Sequence, residues 1–363
     1  MHISKRENLS LKNKIIIRII AILLSLIVSA IVIIAIVKLN PIKVYESMVK
    51  GAFSTNKRIW ITIRDTMILT CIAIGLAPAY KMKFWNVGAE GQMLLGAIAS
   101  AFCMINLKNI NTFLLILTMA CASILAGAIW GIIPGFSKAK FNTNETLFTL
   151  MMNYIGIQLT SFCVSKWENP PGSNSVGMIN GTGQYKNVGW IGNLFTKGYN
   201  SDYAILAICI IVLAILMYIY LKYTKQGFEI SVIGDSLDTA RYSGIRINNV
   251  FIRTMALSGA LCGLAGFFAV SGVSHTISTN TAGGRGFTAI IVAWLAKMNP
   301  FIMIFISLLI TFFNKGAIQI ASDFGLNEYM SEIVTGIILF FILGSEFFIQ
   351  YKIDFKFVGK NKL

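Results

Sequence analysis

Ten long apolar stretches dominate the sequence and restrict the folds that it can adopt. The first runs from about Ile15 to Val37 behind a basic head, and it is too long for the apolar core of a signal peptide. About twenty apolar residues in a helix cross a bilayer. The other stretches lie near 59–80, 91–106, 112–134, 146–165, 203–222, 254–274, 287–297, 301–314 and 333–350. We therefore predict an all-α polytopic membrane protein with about ten transmembrane helices.

The composition supports this class. Hydrophobic residues make up 56% of the 363 residues and charged residues only 13%, whereas a soluble globular protein carries about 25% charged residues. Most of the exterior must therefore face lipid, which excludes soluble domains. The net charge of +16 would suggest nucleic acid in a soluble protein, but Lys and Arg in cytoplasmic loops explain it in a membrane protein. We expect a lipid bilayer as a partner and no nucleic acid.

An even number of crossings leaves both termini on one side of the membrane. With the N-terminus inside, 18 Lys and Arg residues fall in inner loops and 11 in outer loops, which favours cytoplasmic termini. We predict a single transmembrane domain over residues 1–363. Its parts are a cytoplasmic tail at 1–14, a membrane bundle at 15–350, an extracytoplasmic loop at 166–202, a cytoplasmic loop at 223–253 and a second cytoplasmic tail at 351–363.

Two regions interrupt the apolar pattern with glycine, proline and polar residues. The first region follows Gly75-Leu-Ala-Pro78 and contains the polar residues 86–92. The second begins with residues 281–286, which precede a short apolar run, and that run is interrupted again at Asn299-Pro300. Irregular backbone at membrane depth requires protein or a water-filled cavity around it. Such breaks in two halves of a transporter point to a translocation path. The alternative is that both regions are interfacial loops.

Polar side chains in these regions are candidates for contact with a solute. Asn86, Glu90 and Gln92 could hydrogen-bond a polar solute beside a helix N-terminus, or they could cap that helix without any ligand. Asn153 is a lone amide in an apolar span, so it either bonds a neighbouring helix or faces a pore.

The cytoplasmic loop 223–253 contains a short helix-forming segment at 235–244. We predict that Asp235 is the N-cap, that Asp238 occupies position N3, and that Gly244 ends the helix in a left-handed conformation. Arg241 is expected to be exposed. A helix of about two turns is unstable alone, so the membrane domain or a docking partner must hold it.

The sequence lacks the common motifs of nucleotide and metal sites. There is no G-x-x-x-x-G-K-[ST], G-x-G-x-x-G, H-E-x-x-H or Cys-x-x-Cys pattern, and neither histidine has a ligand partner. We therefore expect no metal and no cofactor in this chain. Energy for any active transport must come from a partner or an ion gradient.

Several segments together resemble a known family. Lys83-Phe-Trp-Asn-Val-Gly-Ala-Glu-Gly-Gln-Met-Leu-Leu-Gly-Ala97 resembles the signature of permease subunits of bacterial ATP-binding-cassette (ABC) importers for nucleosides and simple sugars, which are related to branched-chain amino acid and ribose permeases. The purine-nucleoside importers are the most similar. Further matching segments are Lys138–Thr146, Met152–Tyr154, Gly227–Ile245, Met255–Gly266 and Gly286–Ala296 with Asn299-Pro300. Trp294 and Lys297 stand where we expect smaller or more flexible residues.

The resemblance implies a function and a set of partners. It implies import of nucleosides, ribosides or simple sugars across a bacterial cytoplasmic membrane, without chemistry on the substrate, and therefore no enzyme. The implied partners are a second, related permease, an extracytoplasmic binding lipoprotein and two cytoplasmic P-loop ATPase subunits, which bind the ATP.

Within this chain, the resemblance assigns two groups of residues. The 235–244 helix would couple to the ATPase through Gly227, Asp235, Asp238, Arg241 and Gly244. The substrate path would be lined by Asn86, Glu90, Gln92, Asn153, Gly284 and Phe287. The alternative hypothesis is an ion-coupled secondary transporter that uses Glu90 or Asp65.

Overall fold

The computed structural model describes residues 2–5, 10–194, 201–326 and 328–354. Parts of the predicted tails and of the loop 166–202 therefore lie outside the described residues. The helices are α1 (Leu11–Val32), α2 (Pro41–Phe53), α3 (Asn56–Lys81), α4 (Ala89–Asn106), α5 (Thr112–Phe141), α6 (Glu145–Trp167), α7 (Ser201–Tyr223), α8 (Lys225–Asp235), α9 (Leu237–Tyr242), α10 (Ile247–Ala269), α11 (Arg285–Leu295), α12 (Pro300–Phe324) and α13 (Glu328–Gln350). Shorter elements are π-helical turns at Ile33–Val37 and Val270–Ser274, a 3₁₀ turn at Ile191–Leu194, and strands β1 (His2–Lys5) and β2 (Tyr351–Asp354).

The predicted helical class is confirmed, since β1 and β2 are the exception in the part of the chain that the structure describes. All ten apolar stretches coincide with helices. Seven helical segments are long and apolar enough to cross a membrane, counted over the described residues. They are Ile16–Ala35, Asn56–Lys81, Thr112–Phe141, Glu145–Trp167, Tyr203–Tyr223, Ile247–Ser274 and Pro300–Phe324. α4, α11 and α13 fall outside this set; Arg285–Leu295 and Gly336–Ile349 are shorter apolar helices.

The chain divides into two compact units, one of residues 1–62 with 310–363 and the other of residues 63–309. In the first unit α1 packs on α13, and the Arg18 guanidinium lies 3.3 Å from the Glu346 carboxylate. β1 pairs antiparallel with β2, so that His2 lies opposite Asp354. The strands β1 and β2 therefore lie side by side.

The core of the second unit is formed by α4, α5 and α10, which pack backbone against backbone. A β-carbon added to Gly127 would lie 2.2 Å from the carbonyl oxygen of Gly259, and one added to Gly263 would lie 2.2 Å from that of Ser123. Small residues of this kind let helices approach closely in a membrane, where van der Waals packing replaces the hydrophobic effect between helices. This core supports both broken segments.

Candidate functional site

The irregular segment between α3 and α4 is held by side-chain amides. The Nδ2 of Asn86 donates to the Oε1 of Gln92 at 3.2 Å and to the hydroxyl of Ser258 on α10 at 3.0 Å. Its Oδ1 accepts the backbone N–H of Gly88 at 3.0 Å, and Tyr80 donates its hydroxyl to the Asn86 carbonyl at 2.8 Å. Both faces of the Asn86 amide are therefore used to shape the entry into α4.

Asn153 joins α6 to the same segment. Its Oδ1 accepts the backbone N–H of Gly91 at 2.8 Å, and its Nδ2 donates to the carbonyl of Val87 at 2.8 Å. A β-carbon on Gly91 would lie 3.0 Å from the Met152 carbonyl oxygen, so α4 and α6 are in close contact here. The geometry is that of an amide bonding a neighbouring segment, which is one of the two roles predicted for this residue.

Glu90 connects the two broken regions. Its carboxylate accepts the backbone N–H groups of Gly284 at 2.8 Å and Gly286 at 3.2 Å, at the N-terminus of α11. A carboxylate at this position satisfies amides that have no partner within the helix and complements the helix dipole. Gly286 allows the approach, because a β-carbon there would lie 2.5 Å from the Glu90 nitrogen. We call residues 86–92, Asn153 and 284–286 the Glu90 junction.

The predicted path residues thus come together, but their polar groups are occupied. Asn86, Glu90, Gln92 and Asn153 are 0%, 7%, 1% and 3% exposed. Gly284 is half-buried, and Phe287 is exposed. In this chain the four polar side chains shape the broken segments, in agreement with the capping alternative, and their contact with a solute stays a prediction.

Residues that the sequence analysis did not single out complete the junction. Thr149 accepts the N–H of Val87 at 3.1 Å, and Ser258 accepts from Asn86. Both are fully buried polar residues within apolar helices, a pattern that could have identified them.

Next to the junction, α8 and α9 form a separate arm, residues 225–244. The predicted N-cap is wrong by one residue: Ser236 is the cap, and its hydroxyl accepts the N–H of Thr239 at 3.3 Å. Asp235 is instead the last residue of α8, and Asp238 is at position N2 rather than N3. Ser236 has the extended backbone that an N-cap requires (φ −156°, ψ 125°), whereas Asp235 continues the turn of α8.

The other predictions for the arm concern its glycines and its exposed tip. Gly244 has φ +73° and lies just beyond the end of α9, so the predicted left-handed ending is confirmed. Gly227 packs at the other end of the arm, where a β-carbon would lie 2.3 Å from the Tyr220 carbonyl oxygen. Arg241 pairs with Asp238 at 3.4 Å on the exposed tip, and Tyr242 beside them is 94% exposed.

The arm contacts the end of α3, just before the segment that leads to the Glu90 junction. A β-carbon on Gly234 would lie 2.1 Å from the carbonyl oxygen of Lys81, the last residue of α3. A cavity of about 250 Å³ lies beside this contact. Its lining includes residues of the arm, of the segment after α3, of the facing ends of α5 and α6, and of α10: Met82, Lys83, Phe84, Lys138, Glu145, Ile233, Gly234, Asp235, Ser236, Leu237 and Phe251.

Asp65 and His275, also in this unit, are residue types that can bind an ion, and both make other contacts. Asp65 forms an ion pair with Arg64 at 2.9 Å. The imidazole of His275 stacks on Trp190 with ring centroids 3.7 Å apart, and burial together with the charge of Arg64 lowers its pKa to about 4. Within the described ranges, no group of three or more His, Cys, Asp or Glu residues could hold a metal ion.

Comparison with known proteins relates this architecture to transport permeases. The chain is 30% identical over 340 residues to the nucleoside ABC transporter permease protein NupB of Lactococcus lactis, covering 91% of each chain. It is 26% identical to the glucose ABC transporter permease protein TsgB13 of Haloferax volcanii, over 79% of this chain and 76% of that one. It is 27% identical to the guanosine ABC transporter permease protein NupP of Bacillus subtilis, over 83% and 85%. No solved structure matches the chain.

The family assignment rests on a match over most of the chain. The sequence model described as "Branched-chain amino acid transport system / permease component" matches residues 59–343, from α3 into α13. This range includes the whole Glu90 junction and the whole arm. The chain therefore belongs to the permease component family of the branched-chain amino acid transport system.

Proposed function

We propose that this chain is the membrane permease subunit of an ABC importer that carries nucleosides across a bacterial cytoplasmic membrane. Purine nucleosides are the favoured cargo, with related ribosides and simple sugars as the wider class. The similarity to NupB over 91% of both chains supports the cargo, and the similarity to TsgB13 keeps sugars within the class. No chemistry on the cargo is part of the proposal.

One observation carries the transport mechanism: the exposed arm contacts the end of α3, and the segment after α3 is bonded in turn to the start of α11. Gly234 of the arm touches Lys81 at the end of α3. The segment that follows Lys81 leads to Glu90, and Glu90 accepts two N–H groups at the start of α11. A displacement of the arm would therefore reach the segments proposed to line the path through the irregular stretch after Lys81, which the hydrogen bonds of Tyr80 and Asn86 hold in place.

The arm would be displaced by partner ATPases, which bind the ATP. Closure of the ATPases on ATP would move α9, and the junction would shift as a body between outward-facing and inward-facing arrangements. A partner shifts such an equilibrium only by the difference in its affinity for the two states. ATP would supply the energy by changing that difference for the ATPases. A second, related permease and an extracytoplasmic binding lipoprotein complete the proposed complex.

The proposed topology has about ten crossings with both termini in the cytoplasm. The pairing of β1 with β2 supports an even number of crossings. The excess of Lys and Arg in the loops on the same side as the termini supports the orientation. Cysteine accessibility in intact cells tests it, with cysteines introduced in the loop 107–111 and at the tip of the arm, 236–246. Only the first position should react with an impermeant reagent.

Reconstitution tests the function. The complete transporter in proteoliposomes should accumulate labelled inosine with external lipoprotein and internal ATP, and omission of the ATPase should abolish accumulation. The rival is a secondary transporter that uses Glu90 or Asp65 as an ion-coupling carboxylate. Accumulation that persists without the ATPase and collapses with an ionophore would establish the rival. Glu90 on two backbone amides and Asp65 on Arg64 are both already partnered, which disfavours it.

A further inference from the structure

Two tryptophans from the two broken segments stack on each other. Trp85 precedes Asn86 in the irregular segment after α3, and Trp294 lies near the end of α11, 209 positions later. Their ring centroids are 5.1 Å apart and their planes are inclined by 20°. Tyr80 packs edge-on against Trp85 at 5.9 Å while its hydroxyl is held by the Asn86 carbonyl, so the pair is anchored on the Glu90 junction.

The two tryptophan rings are exposed, whereas the polar residues beside them are buried. Trp85 and Trp294 are 43% and 46% exposed. Phe287 is exposed to 45%, and it lies two turns before Trp294 on the same face of α11. Asn86, Glu90, Gln92 and Asn153 are buried, so the exposed rings of Trp85, Trp294 and Phe287, rather than these four polar side chains, are available to a solute.

We propose that the Trp85–Trp294 pair is a binding platform for a planar heteroaromatic ring in the cargo. The inference rests on the proposed function, because it requires that the broken segments line the path. An indole face attracts any flat π-system, and stacking of this kind is tolerant of ring substituents. The platform therefore selects cargo by ring area: bicyclic bases bind better than monocyclic ones, and exocyclic groups have little effect.

The test uses the complete reconstituted transporter and compares KM for inosine with KM for uridine. Stacking of a base on an aromatic side chain corresponds to roughly a tenfold change in affinity. Trp294→Leu should raise KM for inosine about tenfold and KM for uridine about threefold, and Trp294→Phe should have a smaller effect. Trp85→Leu should raise the KM for inosine and the KM for uridine by factors similar to those for Trp294→Leu. Phe162→Leu, at an exposed aromatic on α6 outside the broken segments, is the control and should change neither KM.

The outcomes separate the platform from a role of the tryptophans in the lipid interface, where aromatic residues also concentrate. A KM that is unchanged, or that rises equally for inosine and uridine, would overturn the platform while leaving the proposed function intact. A wild-type transporter that accumulates neither riboside would overturn the proposed cargo together with the platform. Should the leucine variants not assemble, Trp→Tyr and Trp→Phe at both positions give the same comparison with smaller changes.

Discussion

The Glu90 junction and the arm differ in how they are stabilised, although they lie in the same unit and the arm contacts the helix that precedes the junction. At the junction, Asn86, Glu90 and Asn153 are buried and bonded to backbone or side-chain groups of three other helices. The tip of the arm is a six-residue helix with an exposed ion pair and an exposed Tyr242. The junction is thus organised by this chain alone, whereas the tip has the features of a surface completed by a partner.

The largest expected effect comes from breaking the junction. Glu90→Ala leaves the N–H groups of Gly284 and Gly286 without their acceptor, and each buried unpaired group costs about 1–3 kcal/mol. We expect the free energy of unfolding of the detergent-solubilised protein to fall by about 2–6 kcal/mol, since the two costs add. Glu46→Ala, at an exposed carboxylate on α2, is the control and should leave the free energy of unfolding unchanged. A stable Glu90→Ala variant would show that the junction does not depend on this carboxylate.

Gly234→Ala should disrupt the contact between the arm and the end of α3. The added methyl would lie 2.1 Å from the Lys81 carbonyl oxygen, so α8 must move, at a cost of about 1–3 kcal/mol. We expect ATP hydrolysis by the assembled transporter to continue while the amount of cargo moved per ATP falls severalfold. Gly336→Ala is the matched control, because a β-carbon there meets nothing within 4 Å. If Gly234→Ala moves as much cargo per ATP as the wild type, the contact between Gly234 and Lys81 does not transmit the movement of the arm.

Gly244→Ala tests the end of α9. An L-residue held at φ +73° costs about 1–2 kcal/mol, and asparagine tolerates this conformation better than alanine. Gly244→Ala should weaken binding of the purified ATPase about tenfold in a pull-down titration, and Gly244→Asn should weaken it less. Equal binding by both variants and the wild type would show that α9 does not need this ending.

Ser236→Ala has the smallest expected effect and tests the corrected cap. Loss of a serine N-cap costs about 1 kcal/mol, so amide hydrogen exchange in α9 should accelerate about fivefold. Asp235→Ala changes the neighbouring residue that the sequence favoured as the cap, and it should leave exchange in α9 unchanged. The opposite ranking of the two variants would restore Asp235 as the cap.

The helices were predictable because a backbone in lipid must satisfy its hydrogen bonds internally, and long apolar runs then leave few alternatives to a helix. The crossing number was less accessible. The first turn of α4 contains the polar residues Glu90 and Gln92, which lower the hydropathy of that helix, and α11 has only 11 residues. Neither helix is therefore among the seven of membrane-spanning length and hydropathy in the described chain.

Several residues of the Glu90 junction were predictable, whereas Thr149, Ser258 and the contacts among them were not. Polar residues inside apolar segments indicated Asn86, Glu90, Gln92 and Asn153, since such residues are costly in a membrane. The partners of Glu90 are backbone N–H groups 194 and 196 positions away, and backbone groups leave no signal in a sequence. The cap of α9 was misplaced because Asp235 and Ser236 are adjacent and both residue types are good caps.

The backbone contacts among α4, α5 and α10 restrict which substitutions this chain can tolerate. At Gly96, Gly127, Gly259 and Gly263, even the smallest side chain would place a carbon 2.1–2.2 Å from a carbonyl oxygen of the facing helix. In a saturation library selected for uptake, these four codons should stay almost invariant, while those of Gly336 and Gly344 on α13 should diversify. Glycine is thus irreplaceable where these helix backbones meet and dispensable at the two open positions of α13.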